Sequence, residues 1–242
     1  LQCGSALESI TAAAAKIESG LADLVIAGGF ESSSTQPLRM WNPNHPDYQE
    51  GKCYTVAKFI PDLQGEQVML EGAEKTALTE NVTKAEMDPW VLLSHKRAAQ
   101  AAKEGILSDI QLSIEGSRKD EGIRPAMSQR LLDRLPYLLP GGKVITAANA
   151  CLMHDGAAFV VLCSEKYRKA HNLSPQAAFR YGTAIGSDPF MSPKTAVLAI
   201  RKLLRQRGLS IDEIDSLEVN EAFAVIDVLL EREFPGIRDR LN

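Results

Sequence analysis

The chain begins with a cysteine whose neighbours suit nucleophilic chemistry. Cys3 is followed by two small residues and by an alanine-rich run at 11–15 that predicts a helix, with Gly20 at its end. The apolar run 22–27 then predicts a buried strand. Cys3 is therefore expected at the N-terminus of a helix packed on a sheet, where unpaired N–H groups favour a thiolate and hold an oxyanion. The alternative is a small structural cysteine buried under that helix.

Polar residues next to two other predicted strands are further candidates. Asn149 and Cys151 lie in the stretch 144–158, which leads into an apolar strand. Asn220 lies where a predicted strand at 216–219 gives way to a helix. Sites in α/β proteins form at the carboxyl ends of strands, so Asn220 is placed to hold a water or to donate to a developing oxyanion. The alternative is that Asn220 caps the helix.

The elements that must position these residues include long loops and a capped helix. Residues 30–65 are rich in Ser, Pro, Asn and Gly, which predicts a long excursion of loops. Asp88 followed by Pro89 predicts a helix N-cap and first turn. That helix is expected to run to about Lys103 and to stop at Gly105.

Towards the C-terminus the pattern predicts a βαβ unit. Residues 176–185 alternate in the manner of a strand, and a helix follows at 192–208. A capping-box sequence at 210–213 starts a short turn before the strand at 216–219. The order strand, helix, strand, helix implies a right-handed crossover on a mostly parallel sheet.

Composition argues against several classes of protein. The 242 residues carry a net charge of −4, which disfavours a general nucleic-acid-binding surface. No apolar run approaches the roughly 20 residues of a membrane-spanning helix, and no signal peptide is visible, so we expect a cytoplasmic protein without a membrane partner. The four cysteines lack a C-x-x-C pair and the four histidines lack metal-ligand spacing, so neither a disulfide framework nor a zinc site is expected.

Three motifs resemble those of the thiolase family, the acyl-CoA C-acetyltransferases. The first is Cys-Gly-Ser-Ala at 3–6, followed by a helix and by Ala-Gly-Gly-Phe-Glu-Ser at 27–32. The second is Thr-Ala-Ala-Asn-Ala-Cys-Leu-Met-His-Asp-Gly-Ala-Ala at 146–158, which departs from the family pattern at three residues. Those departures are Ala148, Cys151 and His154. The third motif, Asn-Glu-Ala-Phe-Ala at 220–224, is the most specific.

The resemblance implies a fold and a division into domains. The expected fold class is α/β, with two similar halves in five layers and a loop domain inserted in the first half, incomplete in this chain. The partial N-terminal domain is expected at 1–32 and 150–172, the loop domain at 33–149 and the partial C-terminal domain at 173–242. Ser-His-Lys-Arg-Ala at 94–98 also resembles a motif of the family's loop domain.

The resemblance also implies which residues act. Cys3 is expected to carry the acyl group, and Asn220 to bind the oxyanion or a water. Asn149 and Cys151 are expected to line the pantetheine channel. Residues 117–134 form a mixed-charge stretch that by composition indicates a solvated surface, yet Arg124 within it matches an arginine that contacts the nucleotide end of coenzyme A (CoA).

The reaction implied is acyl transfer through a thioester. Cys3 attacks a 3-ketoacyl-CoA, acetyl-CoA departs, and CoA takes the acyl group; the reverse is a Claisen condensation. The resemblance implies no permanently bound cofactor and no metal. It also implies a homodimer or homotetramer that acts in fatty acid metabolism. The chain begins at Leu1, just before the nucleophile, and the family's Gly-His-Pro and Cys-x-Gly-Gly segments do not occur in it. We therefore expect a fragment without thiolase turnover of its own.

Two other interpretations stay open at this point. A ketoacyl synthase shares the fold and a nucleophilic cysteine, but it relies on two histidines and lacks the loop domain and the Asn-Glu-Ala-Phe motif. A thiolase-like acyl-CoA-binding protein without activity is suggested by the departures at Ala6, Ala148 and Cys151.

Overall fold

The computed structural model describes residues 2–54, 67–114, 116 and 119–242. Residue contacts divide the chain into two compact units. Unit 1 consists of Leu1–Val56 and Met153–Ala184, and unit 2 of Ala57–Leu152 and Ile185–Asn242. Residues 55–65 of the predicted loop excursion, Arg118 of the mixed-charge stretch and the starting residue Leu1 lie outside the described residues. The domain boundaries expected from the resemblance stay a prediction.

Seven helices and two strands occur in the described residues. In chain order they are α1 (Ser5–Glu18), β1 (Leu24–Glu31), α2 (Val68–Thr79), α3 (Lys84–Glu104), α4 (Gln129–Leu132), β2 (Gly156–Cys163), α5 (Glu165–Ala170), α6 (Thr195–Arg207) and α7 (Val225–Glu233). Short 3₁₀ turns lie at Ser33–Thr35, Pro189–Lys194 and Ile211–Glu213.

Unit 1 is a two-stranded antiparallel sheet covered on one face by α1. The strands β1 and β2 are antiparallel, with Leu24 opposite Cys163 and Glu31 opposite Gly156. Small residues line the covered face, where Ala27 is buried and α1 packs closely. The helix lies where the sequence predicts it, whereas the strand predicted as buried at 22–27 runs from Leu24 to Glu31 and buries only Ala27.

Unit 2 is built around α7, whose residues 225–230 are all buried. This helix packs against α2, α3, α6 and the turn Pro189–Lys194. The sequence forms such a helix because its apolar residues cover more than one face, as expected of a helix at the centre of a core. The largest fully buried apolar side chains of the unit are Met87, Leu132, Ile145, Leu230, Ile237 and Leu241.

The predicted start of α3 at Asp88 and Pro89 is wrong. The helix begins at Lys84, after a capping box in which the side chains of Thr83 and Glu86 satisfy each other's backbone N–H groups. Two reciprocal caps stabilise that start more than a lone Asp-Pro pair does, so Pro89 lies inside the helix. The predicted stop is confirmed, because Gly105 adopts a left-handed conformation with φ of 66°.

The predicted parallel βαβ unit does not form within the described ranges. Residues 176–185 are mostly exposed and pair with no strand there, and 216–219 make only a single parallel bridge, between Leu217 and Leu241. Alternation predicts an extended conformation, but a strand also needs a neighbour that supplies hydrogen bonds. The helix between them is confirmed as α6, with Gly208 at its left-handed end, but its predicted start at 192 is wrong because Ser192 and Pro193 lie in the preceding 3₁₀ turn. The capping box of Ser210 and Glu213 is confirmed.

Candidate active site

Cys3 lies exposed two residues before α1, as the sequence predicts. The N-cap residue is Gly4, which has no side chain to accept hydrogen bonds from the first turn. In that turn the N–H group of Ser5 donates to the carbonyl of Gln2 and that of Glu8 to the carbonyl of Gly4, both at 3.0 Å, and the turn lies at the positive end of the helix dipole. An anion next to Cys3 is therefore stabilised by the helix terminus. The alternative of a cysteine buried under the helix is wrong.

Two glycines of β1 contact neighbouring elements closely, and Gly29 is the one that faces α1. The hydroxyl oxygen of Ser9 accepts a hydrogen bond from Gly28 N–H at 2.9 Å. A side chain at Gly29 would approach Cβ of Ala6 to 3.1 Å. These two contacts show that the helix and the strand run in opposite directions, so Cys3 lies at the end of the sheet where β1 finishes.

A hydrogen-bonded turn follows β1 at the same end of unit 1. The carboxylate of Asp155 accepts from the hydroxyl group and, at 2.9 Å, from the N–H group of Ser34. The hydroxyl of Ser33 donates to the carbonyl oxygen of His154 at 3.2 Å. The Ser34 hydroxyl, followed by its N–H group, holds the pKa of Asp155 below its usual range. The ionised Asp155 thus ties the turn after β1 to the start of β2.

Asn220 lies exposed in unit 2, in a tight turn before α7. The N–H group of Val219 donates to the carbonyl of Asn242 at 2.8 Å. The N–H group of Ala222 donates to the carbonyl of Asn220, also at 2.8 Å. The N-cap residue of α7 is Ala224, so the alternative role of Asn220 as a helix cap is wrong.

The second motif runs beside the third within unit 2. The N–H group of Cys151 donates to the carbonyl of Ala222 at 2.9 Å, as part of an antiparallel bridge. The N–H group of Ala224 donates to the carbonyl of Asn149 at 3.0 Å. The structure therefore brings the exposed Cys151 close to the turn that carries Asn220.

The side chain of Asn149 holds this arrangement together from inside. It is buried, its Oδ1 atom accepts from Thr146 N–H at 2.8 Å, and its Nδ2 atom donates to the carbonyl of Val144 at 2.9 Å. Both ends of the amide are thus occupied within one loop. The predicted contact between Asn149 and CoA stays a prediction.

A cleft of about 690 Å³ lies between α3 and residues 124–128 of unit 2. Its cationic and imidazole side chains are His95, Lys96, Lys103 and Arg124, and none of its ten lining residues is acidic. Apolar side chains such as Leu92 and Met127 complete the lining. Positive charge beside an apolar wall suits a ligand that carries phosphate groups and a planar ring.

His95 connects this cleft with the third motif. Its Nδ1 atom accepts a hydrogen bond from Arg124 N–H at 3.3 Å. Burial, and after it the charge of Arg124, lowers the pKa of His95, while the charge of Glu221 acts in the opposite direction. The imidazole is therefore neutral at pH 7, and the positive charge of the cleft comes from its Arg and Lys side chains.

Sequence reasoning missed a buried carboxyl group in α7. Asp227 is 2% exposed, and its Oδ2 atom has no hydrogen-bond partner among the described residues. Burial, together with the negative charge of Glu221, raises the pKa of Asp227 to about 8. The available signal was an acidic residue in the middle of the apolar run 225–230, because acidic side chains are rarely buried without a partner.

The predicted site residues are divided between the two units. Cys3 belongs to unit 1, and the others, Arg124, Asn149, Cys151 and Asn220, belong to unit 2. Across the part of the chain that the structure describes, no group of three or more His, Cys, Asp and Glu side chains is arranged to hold a metal ion. In that same part, every helix is too short or too polar to cross a membrane.

Two family models match almost the whole chain. The thiolase N-terminal domain matches residues 1–166, and the thiolase C-terminal domain matches residues 173–242. The chain is 31% identical over 258 residues to the beta-ketoadipyl-CoA thiolase of Escherichia coli, covering 99% of this chain and 64% of that protein. It is 33% identical over 247 residues to a steroid 3-ketoacyl-CoA thiolase of Mycobacterium tuberculosis, covering 100% of this chain and 60% of that protein.

Solved structures agree with the sequence matches. The acetyl-CoA acetyltransferase of Bacillus anthracis has a TM-score of 0.83 at 29% identity, over 99% of this chain and 64% of that one. Human mitochondrial 3-ketoacyl-CoA thiolase in complex with CoA also has a TM-score of 0.83 at 29% identity, over 99% of this chain and 62% of that one. The chain thus spans a little under two thirds of the length of these relatives and has their α/β fold. By sequence and by fold, this chain belongs to the thiolase family.

Proposed function

We propose that the protein is an acyl-CoA C-acyltransferase of the thiolase type, with Cys3 as its nucleophile. The observation that carries the proposal is the exposed thiol of Cys3 at the N-terminus of α1. The positive end of a helix dipole favours a thiolate and stabilises negative charge next to it. The printed names of the relatives, which are thiolases and acetyl-CoA acetyltransferases, support the same chemistry.

In the proposed thiolytic direction the reaction proceeds through a thioester on Cys3. The thiolate attacks the 3-keto carbonyl of a 3-ketoacyl-CoA, forming a carbon–sulfur bond. The bond between that carbonyl carbon and C2 then breaks, and its electron pair leaves with C2, which takes up a proton to give acetyl-CoA. The thiolate of CoA finally attacks the thioester and regenerates Cys3.

Asn220 is proposed to assist through its amide group. The amide is exposed on a turn whose backbone is held by hydrogen bonds on both sides. An amide N–H donates to an oxyanion, and an amide also holds a water in place, without a change of protonation state. Cys151, next to this turn, and Asn149, behind it, are proposed to shape the channel for the pantetheine arm of CoA.

The nucleotide end of CoA is proposed to bind at Arg124. The cleft beside this residue combines cationic and apolar side chains and contains no acidic ones. The solved human relative was crystallised with CoA, which supports CoA as a ligand. Assembly into a homodimer or homotetramer, a cytoplasmic location and the absence of a permanent cofactor belong to the same proposal.

Mass spectrometry of Cys3 tests the proposal. The intact chain is incubated with acetyl-CoA, and the peptide that contains Cys3 is weighed. We expect an added acetyl group on this peptide, absent in Cys3→Ser and retained in Cys53→Ser, which removes another exposed cysteine of unit 1. Acetylation that is equal at Cys3 and Cys53 would indicate unselective chemistry and would refute the assignment.

A binding protein without activity is the second candidate, because the motifs depart from the family pattern at Ala6, Ala148 and Cys151. The two candidates differ in one outcome of the same experiment. Binding of CoA, measured by calorimetry and weakened by Arg124→Ala, without any adduct on Cys3 would favour the binding protein. An adduct on Cys3 favours the acyltransferase.

A further inference from the structure

The segment 120–128 carries Arg124 and forms the wall of the cleft that faces α3. Short-range hydrogen bonds shape this segment. The N–H group of Gly122 donates to the carboxylate of Asp120 at 2.7 Å. The guanidinium group of Arg124 donates to the carbonyl of Glu121 at 3.0 Å. Because these bonds join residues close together in the chain, they fix the local turn and do not hold it against α3.

A hydrogen bond from Arg124 to His95 joins the segment to α3. The Nδ1 atom of His95 accepts from the N–H group of Arg124 at 3.3 Å, between residues 29 positions apart in the chain. Both residues line the cleft, and the imidazole is half-buried. The far end of the segment is tied to α3 separately, where Gln129 donates to Asp88 at 2.8 Å. The bond to His95 therefore holds the two walls together at the residue that carries the guanidinium group.

The acceptor role of Nδ1 requires a neutral imidazole with its proton on Nε2. Burial, and after it the charge of Arg124, lowers the pKa of His95. The ring is thus neutral at pH 7, where its Nδ1 lone pair is free to accept. A protonated ring would present a second donor to the Arg124 N–H group, and the bond would be lost.

We propose that His95 is a positioning residue for Arg124. Its Nδ1 atom holds the backbone of Arg124 against α3, so that the guanidinium group lies beside the cleft before a ligand arrives. Binding to a preformed wall requires less ordering of the protein, which raises affinity. The inference rests on the proposed function, because it takes the nucleotide end of CoA as the ligand that Arg124 contacts.

Calorimetry with adenosine 3′,5′-bisphosphate tests the inference. This probe is the nucleotide end of CoA without its pantetheine arm. Three variants of His95 in the full chain separate the two ring nitrogens. His95→Asn keeps an acceptor on the atom next to Cγ, where Nδ1 lies; His95→Gln places its amide near the position of Nε2; His95→Leu removes both. At pH 7 we expect binding about three- to tenfold weaker in His95→Leu and His95→Gln, and close to that of the unaltered chain in His95→Asn.

A double-mutant cycle distinguishes positioning from a general loss of structure. In a background that carries Arg124→Ala, the effect of His95→Leu should disappear, because His95 acts through the Arg124 side chain. A merely structural role would weaken binding by the same factor in both backgrounds. His171→Leu is the matched control, because it makes the same exchange at an exposed histidine of unit 1 and should leave binding unchanged.

Several results would overturn the inference. They are unchanged binding in His95→Leu, rescue by His95→Gln in place of His95→Asn, and an equal effect of His95→Leu with and without Arg124. Rescue by His95→Gln would instead assign a direct contact between Nε2 and the ligand. If His95→Leu does not fold, as judged by far-UV circular dichroism, the comparison of His95→Asn with His95→Gln remains decisive, because both variants keep a polar amide.

The outcomes separate this inference from the proposed function. If Cys3 is acetylated and Arg124→Ala weakens binding but His95→Leu does not, the acyltransferase proposal stands and the positioning role of His95 is wrong. Coupling between His95 and Arg124 without an adduct on Cys3 supports the positioning role and favours the binding protein. If the unaltered chain does not bind the bisphosphate, both the assignment of Arg124 and the role of His95 are wrong.

Discussion

Replacement of Glu74 by alanine should lower the free energy of unfolding of unit 2 by about 3 kcal/mol. Glu74 lies on α2 and holds the segment that leads to the second motif. Its Oε1 atom accepts from the N–H groups of Lys143 at 2.5 Å and Val144 at 3.3 Å. Its Oε2 atom accepts from Ile145 N–H at 3.0 Å. One carboxylate therefore satisfies three consecutive backbone donors.

The magnitude follows from burial of those donors. Lys143 is exposed, so water can replace its lost acceptor, but Val144 and Ile145 are buried. Each buried N–H group left without an acceptor costs about 1–3 kcal/mol, which gives about 2–6 kcal/mol for the two. Removal of the buried carboxylate offsets part of that cost, because the carboxylate no longer has to be desolvated. Glu74→Gln keeps one acceptor oxygen and should lose about half as much.

Urea unfolding of the full chain measures this effect. Trp90 is buried in unit 2, so its fluorescence reports on that unit in a background that carries Trp41→Phe. Glu71→Ala is the matched control, because it removes an exposed carboxylate from the same helix and should change stability by less than about 0.5 kcal/mol. Equal unfolding midpoints for Glu74→Ala and Glu71→Ala would refute the reasoning.

Three other predictions concern pH, close packing and helix capping. The pKa of Asp227 is raised from 3.8 to about 8, so the folded state keeps a proton that the unfolded state loses. The free energy of unfolding should therefore fall as pH rises from about 4 to 8, by up to about 1.4 kcal/mol per pH unit. Asp227→Asn should remove that slope in urea titrations. Gly28→Ala should destabilise unit 1 by roughly 4 kcal/mol or more in thermal unfolding, because a Cβ atom there would lie 2.1 Å from the carbonyl oxygen of Ala158. Thr83→Ala should cost about 1 kcal/mol in urea unfolding, since it removes the side-chain acceptor from the capping box with Glu86.

Each of these predictions has a distinct contradicting result. Parallel stability profiles of the unaltered chain and Asp227→Asn between pH 4 and 8 would contradict the first. Gly186→Ala is the control for Gly28→Ala, because nothing lies within 4 Å of a Cβ atom added at Gly186. Equal melting temperatures for the two glycine variants would contradict the prediction that Gly28→Ala is destabilising. Unchanged stability in Thr83→Ala would show that the cap contributes nothing to α3.

Much of the candidate site was predictable from local sequence. A cysteine before an alanine-rich helix and a following strand with two glycines predicted that Cys3 lies at the start of α1, and the structure places it two residues before that helix. The roles of Cys3, Asn220, Arg124, Asn149 and Cys151 came from motifs and stay predictions. The prediction of secondary structure failed where a neighbouring strand is needed, as at 176–185. Alternation of side chains specifies an extended chain but does not supply the strand that pairs with it.

The sequence by itself determined the family, the helix ends and the residues able to do chemistry. The signals used were glycines at helix ends, capping boxes and the Asn-Glu-Ala-Phe-Ala motif. Each depends only on residues close together in the chain, so each can be recognised without the tertiary structure. Only the tertiary structure decided which polar groups lose their contact with water. It buried the Oδ2 atom of Asp227 without a hydrogen-bond partner among the described residues, bound Glu221 to Ser94 and enclosed both ends of the Asn149 amide. Burial and hydrogen-bond pairing depend on residues far apart in the chain, so no local pattern contains them.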